Sequence, residues 1–154
     1  MKRKDLLGLD GVSREEITSI LDTALMMRQV VRSNNKKTPH LQGKSIVTLF
    51  YENSTRTRMS FELASKYMSA AAANISASAS SVAKGETLKD TIKMVSGYAD
   101  VVVMRTPWEG SAKAASLYSA VPVVNAGDGG HMHPTQTMAD LTTMTRLLGK
   151  VDGL

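Results

Sequence analysis

At 154 residues, 42% hydrophobic and 21% charged, the chain has enough apolar material for one globular domain with its own core, and two full domains would be a tight fit. Zero cysteines exclude a disulfide framework, a thiolate metal site and a Cys nucleophile, and suit a reducing compartment. The formal charge of +5 points to an anionic partner, but the basic residues are scattered and one Trp, four Tyr and two Phe offer little for base stacking, which favours a small anion over nucleic acid.

In chain order, residues 1–5 are charged and 6–12 are broken by Gly8, Asp10 and Gly11, so no signal peptide is expected. No apolar run approaches membrane-spanning length, and the default address is cytoplasmic. Ser13 with Glu16 makes a capping box, followed by Ile17, Ile20, Leu21, Ala24 and Leu25 at helical spacing. A polar stretch over 34–42 leads to a buried strand over 45–51. An amphipathic helix over 59–72 follows, then a short strand around 74–79 and a small, polar, flexible stretch over 78–85. Leu88, Ile92, Val95 and Tyr98 mark the next helix, 100–104 a strand, 111–119 a helix and 121–125 a last strand. The final helix spans 135–148, with Gly149 as its cap.

Strands alternating with helices need crossover connections, which favour a parallel sheet covered on both faces. The expected fold is α/β, a three-layer sandwich with a four-stranded parallel sheet flanked by helices. Ligands of such sheets bind beyond the carboxyl ends of the strands. The polar clusters fall at those ends: 54–58 after the first strand, 80–84 after the second, Arg105 after the third, and 133–136 after the fourth.

The first of these clusters, Ser54, Thr55, Arg56, Thr57 and Arg58, carries the clearest chemistry. A helix N-terminus offers unpaired backbone N–H groups and the positive end of the macrodipole, hydroxyls add short donors, and arginine adds a planar fork for two oxygens. The alternative is that Ser54 or Thr55 caps the helix while both arginines are solvated. The other clusters have plain readings too. Lys84 beside Ser80 and Ser81 can be a solvated loop lysine, Arg105 a charge marking a strand's emergence, and His133 an ordinary loop histidine. His131 and His133 form an H-x-H without nearby Cys, and a metal is not expected. Trp108 and the ten methionines read as packing. No G-x-G-x-x-G follows a strand, and no Ser-His-Asp triad is suggested.

The runs F-Y-E-N-S-T-R-T-R with S-F-E behind it, S-S-V-A-K-G-E-T, V-M-R, and V-N-A-G-D-G-x-H-x-H-P-T-Q-T together resemble the carbamoyl-phosphate domain of the aspartate carbamoyltransferase family. S-T-R-T-R and H-P-T-Q alone would fit the wider transcarbamoylases, the ornithine enzyme included, while K-G-E-T and N-A-G-D-G favour the aspartate branch. The resemblance implies that Ser54, Thr55, Arg56 and Thr57 hold the phosphate group of carbamoyl phosphate, with Arg58 closing the motif. It puts Arg105 near phosphate and carbonyl, and His133 and Gln136 at the carbamoyl carbonyl and amide. Ser80, or Ser81 in its place, and Lys84 would reach the neighbouring site of a homotrimer.

Two departures stand out. Thr106 replaces a common histidine, and Met68 with Ser69 replaces a frequent Leu-Gly. The chemistry implied is carbamoyl transfer to the amino group of aspartate with no metal or cofactor, and the catalytic set is Arg56, Thr57, Lys84, Arg105, His133 and Gln136. Residues 1–150 would be the carbamoyl-phosphate domain and 151–154 the start of a link to an aspartate-binding domain, so that this chain alone would lack turnover. The rival of another class is a noncatalytic phosphate-binding or nucleic-acid-binding module.

Overall fold

The strand 45–51 expected from its apolar run is the centre of the molecule. A computed structural model of the chain describes residues 3–76 and 86–149, and the expectations for Ser80, Ser81, Lys84 and 151–154 lie outside them. Strands β1 (Ser45–Phe50), β2 (Ala71–Ser76), β3 (Val101–Thr106) and β4 (Val123–Asp128) alternate with helices α1 (Arg14–Arg32), α2 (Thr55–Tyr67), α3 (Leu88–Ser96), α4 (Ser111–Tyr118) and α5 (Pro134–Leu148). All strand pairs are parallel, in the order β2-β1-β3-β4. The four-stranded parallel sheet of the sequence reading is therefore present.

Strands β1, β3 and β4 are buried on both faces, as crossover helices require, while the edge strand β2 stays partly exposed. Val47, Leu49, Val102 and Met104 pack on one side against Ile92 and Val95 of α3 and Ala115 of α4. Ile46, Phe50, Val103 and Ala126 pack on the other, with Phe61 of α2 against them. Each fully buried large apolar side chain stabilises the fold by roughly 1.5–3 kcal/mol relative to exposure, so these two layers supply the main driving force. The capping box is formed, with Glu16 N–H donating to Ser13 Oγ at 3.2 Å and Ser13 N–H to Glu16 Oε2 at 3.3 Å. Residues 5–7 run along the free edge of β4: Leu6 N–H donates to Val123 O and Asn125 N–H to Leu6 O, both at 2.9 Å. Among the described residues, no helix is long and apolar enough to cross a membrane.

Several boundaries differ from expectation. Helix α2 begins at Thr55, so 55–58 are its first turn rather than its approach, and it ends at Tyr67 because Ala71 onward pairs with β1. Strand β4 runs on to Asp128, where it pairs with Thr106. Tyr98 lies beyond α3 and is 80% exposed, and Trp108 is also mostly exposed, tilted against Tyr51 with ring centroids 6.2 Å apart. Trp108 is thus a surface residue in ring contact with Tyr51 rather than part of the buried core.

The exit from α2 carries a testable strain. Ser69 has φ 63°, in the left-handed region where a Cβ is unfavourable, and Ala70 N–H closes the turn onto Ser65 O at 2.9 Å. Ser69→Gly should raise stability by about 1 kcal/mol, the relief being partly offset by glycine's greater unfolded-state entropy. Urea unfolding measures it; an unchanged or lower midpoint would show that Ser69 is unstrained.

Candidate functional site

Strand order reverses between β1, which is followed on one side by β2, and β3 on the other. The carboxyl ends of these two strands border the crevice where ligands bind in sheets of this class. Here a cleft of about 850 Å³ is lined by Ser54, Arg56, Thr57, Ser60, Phe61, Ala64, Arg105, His133, Thr135, Gln136 and Ala139. Residues expected from three separate strand ends therefore meet in one place.

Two helix N-termini face the cleft. Ser54 is the N-cap of α2, extended at φ −150°, and its hydroxyl makes no cap hydrogen bond. The capping alternative for Ser54 therefore does not hold, and the first-turn N–H groups keep their capacity to bind an anion. Arg56 is exposed and Thr57 half-buried in that turn. Thr55 and Arg58 are exposed and do not line the cleft; Arg58 acts instead on Glu62, one turn on, helping to hold that carboxyl below its ordinary pKa after Lys66. On α5, His133 is the N-cap and Pro134 the first helical residue.

His133 Nδ1 accepts the Gln136 N–H at 3.2 Å, so the ring is neutral with its proton on Nε2. Burial, and then the charge of Arg105, push its pKa below the ordinary histidine value, which agrees with that tautomer. The imidazole is thus a hydrogen-bond donor at neutral pH. Gln136 Nε2 donates to Asp140 Oδ1 at 2.9 Å, which orients its amide.

Arg105 closes the cleft from the sheet. Its side chain is only 18% exposed; Nη1 donates to Ala126 O at 3.2 Å and Nη2 to Glu52 Oε1 at 2.9 Å, while Nε is buried with no partner among the described residues. Glu52 acts as a counterion from the end of β1, itself 36% exposed. Gly127, at φ 122°, lets this happen: a Cβ there would sit 2.9 Å from Arg105 Nη1 and 3.4 Å from His133 Cδ2. Its N–H is held by Asn125 Oδ1 at 2.8 Å.

Among the described residues no three His, Cys, Asp or Glu side chains are grouped to hold a metal, and His131 Nδ1 turns to Asp128 Oδ2 at 3.1 Å. The cleft gathers two guanidiniums, two helix N-termini and a neutral imidazole N–H, a set of donors whose charge and geometry suit an anion. Ser60 and Phe61, quoted only within the S-F-E run, and Ala64 are not among the expected site residues, although Ser60 and Ala64 follow Arg56, and Phe61 follows Thr57, at the four-residue helical spacing that puts them on one face.

The profile of Aspartate/ornithine carbamoyltransferase, carbamoyl-P binding domain, matches residues 4–146. This chain belongs to that family. An aspartate carbamoyltransferase catalytic subunit from Ruminiclostridium cellulolyticum is 57% identical over 155 residues, covering 100% of this chain and 50% of the relative. The chain spans about half the length of the curated relatives it matches. Among solved structures, the catalytic subunit of M. jannaschii aspartate transcarbamoylase superposes with a TM-score of 0.90 at 47% identity, over 99% of this chain and 50% of that one. The Trypanosoma cruzi aspartate transcarbamoylase, solved with carbamoyl phosphate, gives a TM-score of 0.91 at 36% identity, over 98% of this chain and 49% of that one. Ser69 and Thr106 both lie outside the cleft lining: Ser69 sits at the far end of α2, and buried Thr106 bonds Trp108 O and Ser111.

Proposed function

We propose that the cleft binds carbamoyl phosphate and that the complete protein transfers its carbamoyl group to the amino group of L-aspartate, giving N-carbamoyl-L-aspartate and phosphate. The observation that carries this reading is the convergence of the uncapped N-terminus of α2 and the His133 imidazole at the start of α5 on the part-buried Arg105, whose Nε has no partner among the described residues. The phosphate would lie at the first turn of α2, held by Ser54, Arg56 and Thr57, with Thr55, whose side chain lies outside the cleft, contributing through its backbone N–H. Arg105 would bridge phosphate and carbonyl. His133 Nε2–H and Thr57 would donate to the carbonyl oxygen, and Gln136 would face the carbamoyl amide.

In this reaction the amine nitrogen bonds to the carbonyl carbon, the bond from that carbon to the phosphate oxygen breaks, and the departing phosphate takes the amine proton. Charge grows on the carbonyl oxygen and then on phosphate, where preorganised donors stabilise the transition state. No protein base is needed for that balance, and no cofactor enters it.

The relatives named above as aspartate carbamoyltransferases, together with K-G-E-T and N-A-G-D-G, favour aspartate over ornithine as acceptor. On this reading residues 1–150 are the carbamoyl-phosphate domain, 151–154 begin a link, and a second domain holds the acceptor. The assembly would be a homotrimer in which Ser80 and Lys84 reach a neighbouring site. The setting would be de novo pyrimidine biosynthesis in the cytoplasm.

Calorimetric titration of the 154-residue chain with carbamoyl phosphate and with inorganic phosphate tests the cradle. Arg56 stands in the first turn of α2 with its head exposed to the cleft. A charge-assisted contact from it contributes about 1.5–3 kcal/mol, so Arg56→Ala should bind either anion at least roughly tenfold more weakly with the fold intact. Equal affinities for the two proteins, or duplex DNA displacing carbamoyl phosphate, would overturn the reading.

A further inference from the structure

The anion cleft has a second layer behind it, formed by the turn between β4 and α5. Asp128 ends β4 with its side chain only 3% exposed, and its carboxylate receives four donors. Oδ1 accepts from Asn125 Nδ2 and from the Met132 N–H, each at 3.0 Å. Oδ2 accepts from the Gly110 N–H at 3.0 Å and from His131 Nδ1 at 3.1 Å. Burial works to raise the pKa of this carboxyl, yet the bonds from Asn125, His131, Gly110 and Met132 hold it below the ordinary carboxylate value.

Each donor belongs to a piece of the site's support. Met132 immediately precedes His133, the N-cap of α5 whose Nε2 carries the proton. Asn125, oriented by the same carboxylate, holds the Gly127 N–H from its Oδ1, and Gly127 is the gap into which Arg105 and His133 fit. Gly110 precedes α4 and lies on the loop leaving β3, and the Gly129 N–H is tied to Thr106 O at 2.9 Å, one residue past Arg105. The carboxylate is therefore a common node for the ends of β3 and β4 and the start of α5.

We propose that Asp128, which lines no part of the anion cleft, is a positioning residue for it, fixing the turn that sets Gly127 and His133 against Arg105. The consequence for affinity rests on the reading of the cleft as a carbamoyl-phosphate site. Asp128→Asn keeps the side-chain shape but turns one acceptor oxygen into an NH2 group. With its NH2 in place of Oδ1 the amide faces two donors, Asn125 Nδ2 and the Met132 N–H, and loses both bonds; with its NH2 in place of Oδ2 it faces the Gly110 N–H and loses that one, while His131 keeps a bond only by moving its ring proton to Nε2, so the turn must relax either way.

In the 154-residue chain, Asp128→Asn should bind inorganic phosphate roughly tenfold or more weakly. The His133 imidazole, followed by NMR, should titrate at higher pH than in the parent. Its pKa is lowered first by burial and then by Arg105, while Asp140 and Glu52 act in the opposite direction, and loosening the turn weakens both lowering causes. Ile92→Val, a core truncation on the opposite face of the sheet, is the control for stability alone and should move neither readout.

Parent-like affinity and an unmoved His133 midpoint in Asp128→Asn would overturn the proposal, as would equal losses in Ile92→Val. If the parent itself binds no phosphate, the reading of the cleft falls; Asp128 is then judged on His133 alone, an upward midpoint supporting it and an unmoved one refuting it. If Asp128→Asn does not fold, His131→Ala removes only the exposed donor. It should weaken phosphate roughly threefold and shift His133 in the same direction, and no change in either would refute the proposal.

Discussion

Arg105→Ala is expected to lower the affinity of the cleft for phosphate by about 100-fold, the equivalent of about 2.7 kcal/mol. The side chain is mostly buried, so its charge is screened less than that of Arg56 at the surface. Its Nε lacks a partner among the described residues, and its Nη2 is held by Glu52 through a contact that an incoming anion can replace. Two charge-assisted bonds at about 1.5–3 kcal/mol each, less the ion pair given up, lead to that figure. Arg105→Lys should recover little, because an ammonium cannot present two coplanar donors.

Glu52→Gln supplies the opposite sign. Removing the resident carboxylate's charge leaves the guanidinium uncompensated and should strengthen phosphate binding several-fold. Calorimetric titration of the three variants, with thermal melts to confirm folding, tests the pair. Parent-like affinity in Arg105→Ala would remove Arg105 from the site, and weaker binding in Glu52→Gln would show that Glu52 supports the cradle rather than competing with the ligand.

The parts of this fold that sequence conveyed are those where burial and propensity agree. β1 reads as a continuous apolar run because it is buried on both faces between β2 and β3. Ala70–Ala72 has the composition of a helix and so extends the expected α2 too far, whereas pairing of Ala71 and Ala72 with Ser45 and Ile46 places those alanines at the sheet edge. β4 was cut short at Asn125 because Ala126, Gly127 and Asp128 are poor strand formers; the Thr106 to Asp128 pairing and the bonds on Asp128 override that preference. Strand order, and with it the location of the crevice, is a property of packing that local sequence does not encode.

Much of the cleft was also legible, for a topological reason. Ser54, Arg56, Thr57, Arg105, His133 and Gln136 stand at strand ends, and parallel strands deliver their ends to one side of a sheet. Glu52 was missed because a lone acid beside the S-T-R-T-R run gives no sign that it pairs with an arginine 53 residues away. Asp128 enters the sequence reading only within the N-A-G-D-G string, and nothing there marks Gly127 as a gap for Arg105. Their contributions, an absent Cβ and a set of backbone bonds, have no side-chain chemistry facing a ligand by which sequence could reveal them.

Gly127→Ala puts that absent Cβ to the test. At φ 122° an alanine is strained whatever the space around it, a cost of about 1–3 kcal/mol. The added carbon would also lie 2.9 Å from Arg105 Nη1, 3.3 Å from Arg105 Cζ and 3.4 Å from His133 Cδ2. The guanidinium must retreat, and with it the donors aimed at the anion, so phosphate affinity should fall by more than roughly tenfold. Gly149→Ala separates strain from position. Gly149 has φ 77° at the end of α5, but nothing lies within 4 Å of its would-be Cβ. That variant should lose about 1 kcal/mol of stability and keep its affinity. Urea unfolding and calorimetric titration of both proteins decide the matter: if Gly127→Ala is destabilised but binds phosphate like the parent, Arg105 does not depend on this gap, and the geometry assigned to the cradle is wrong.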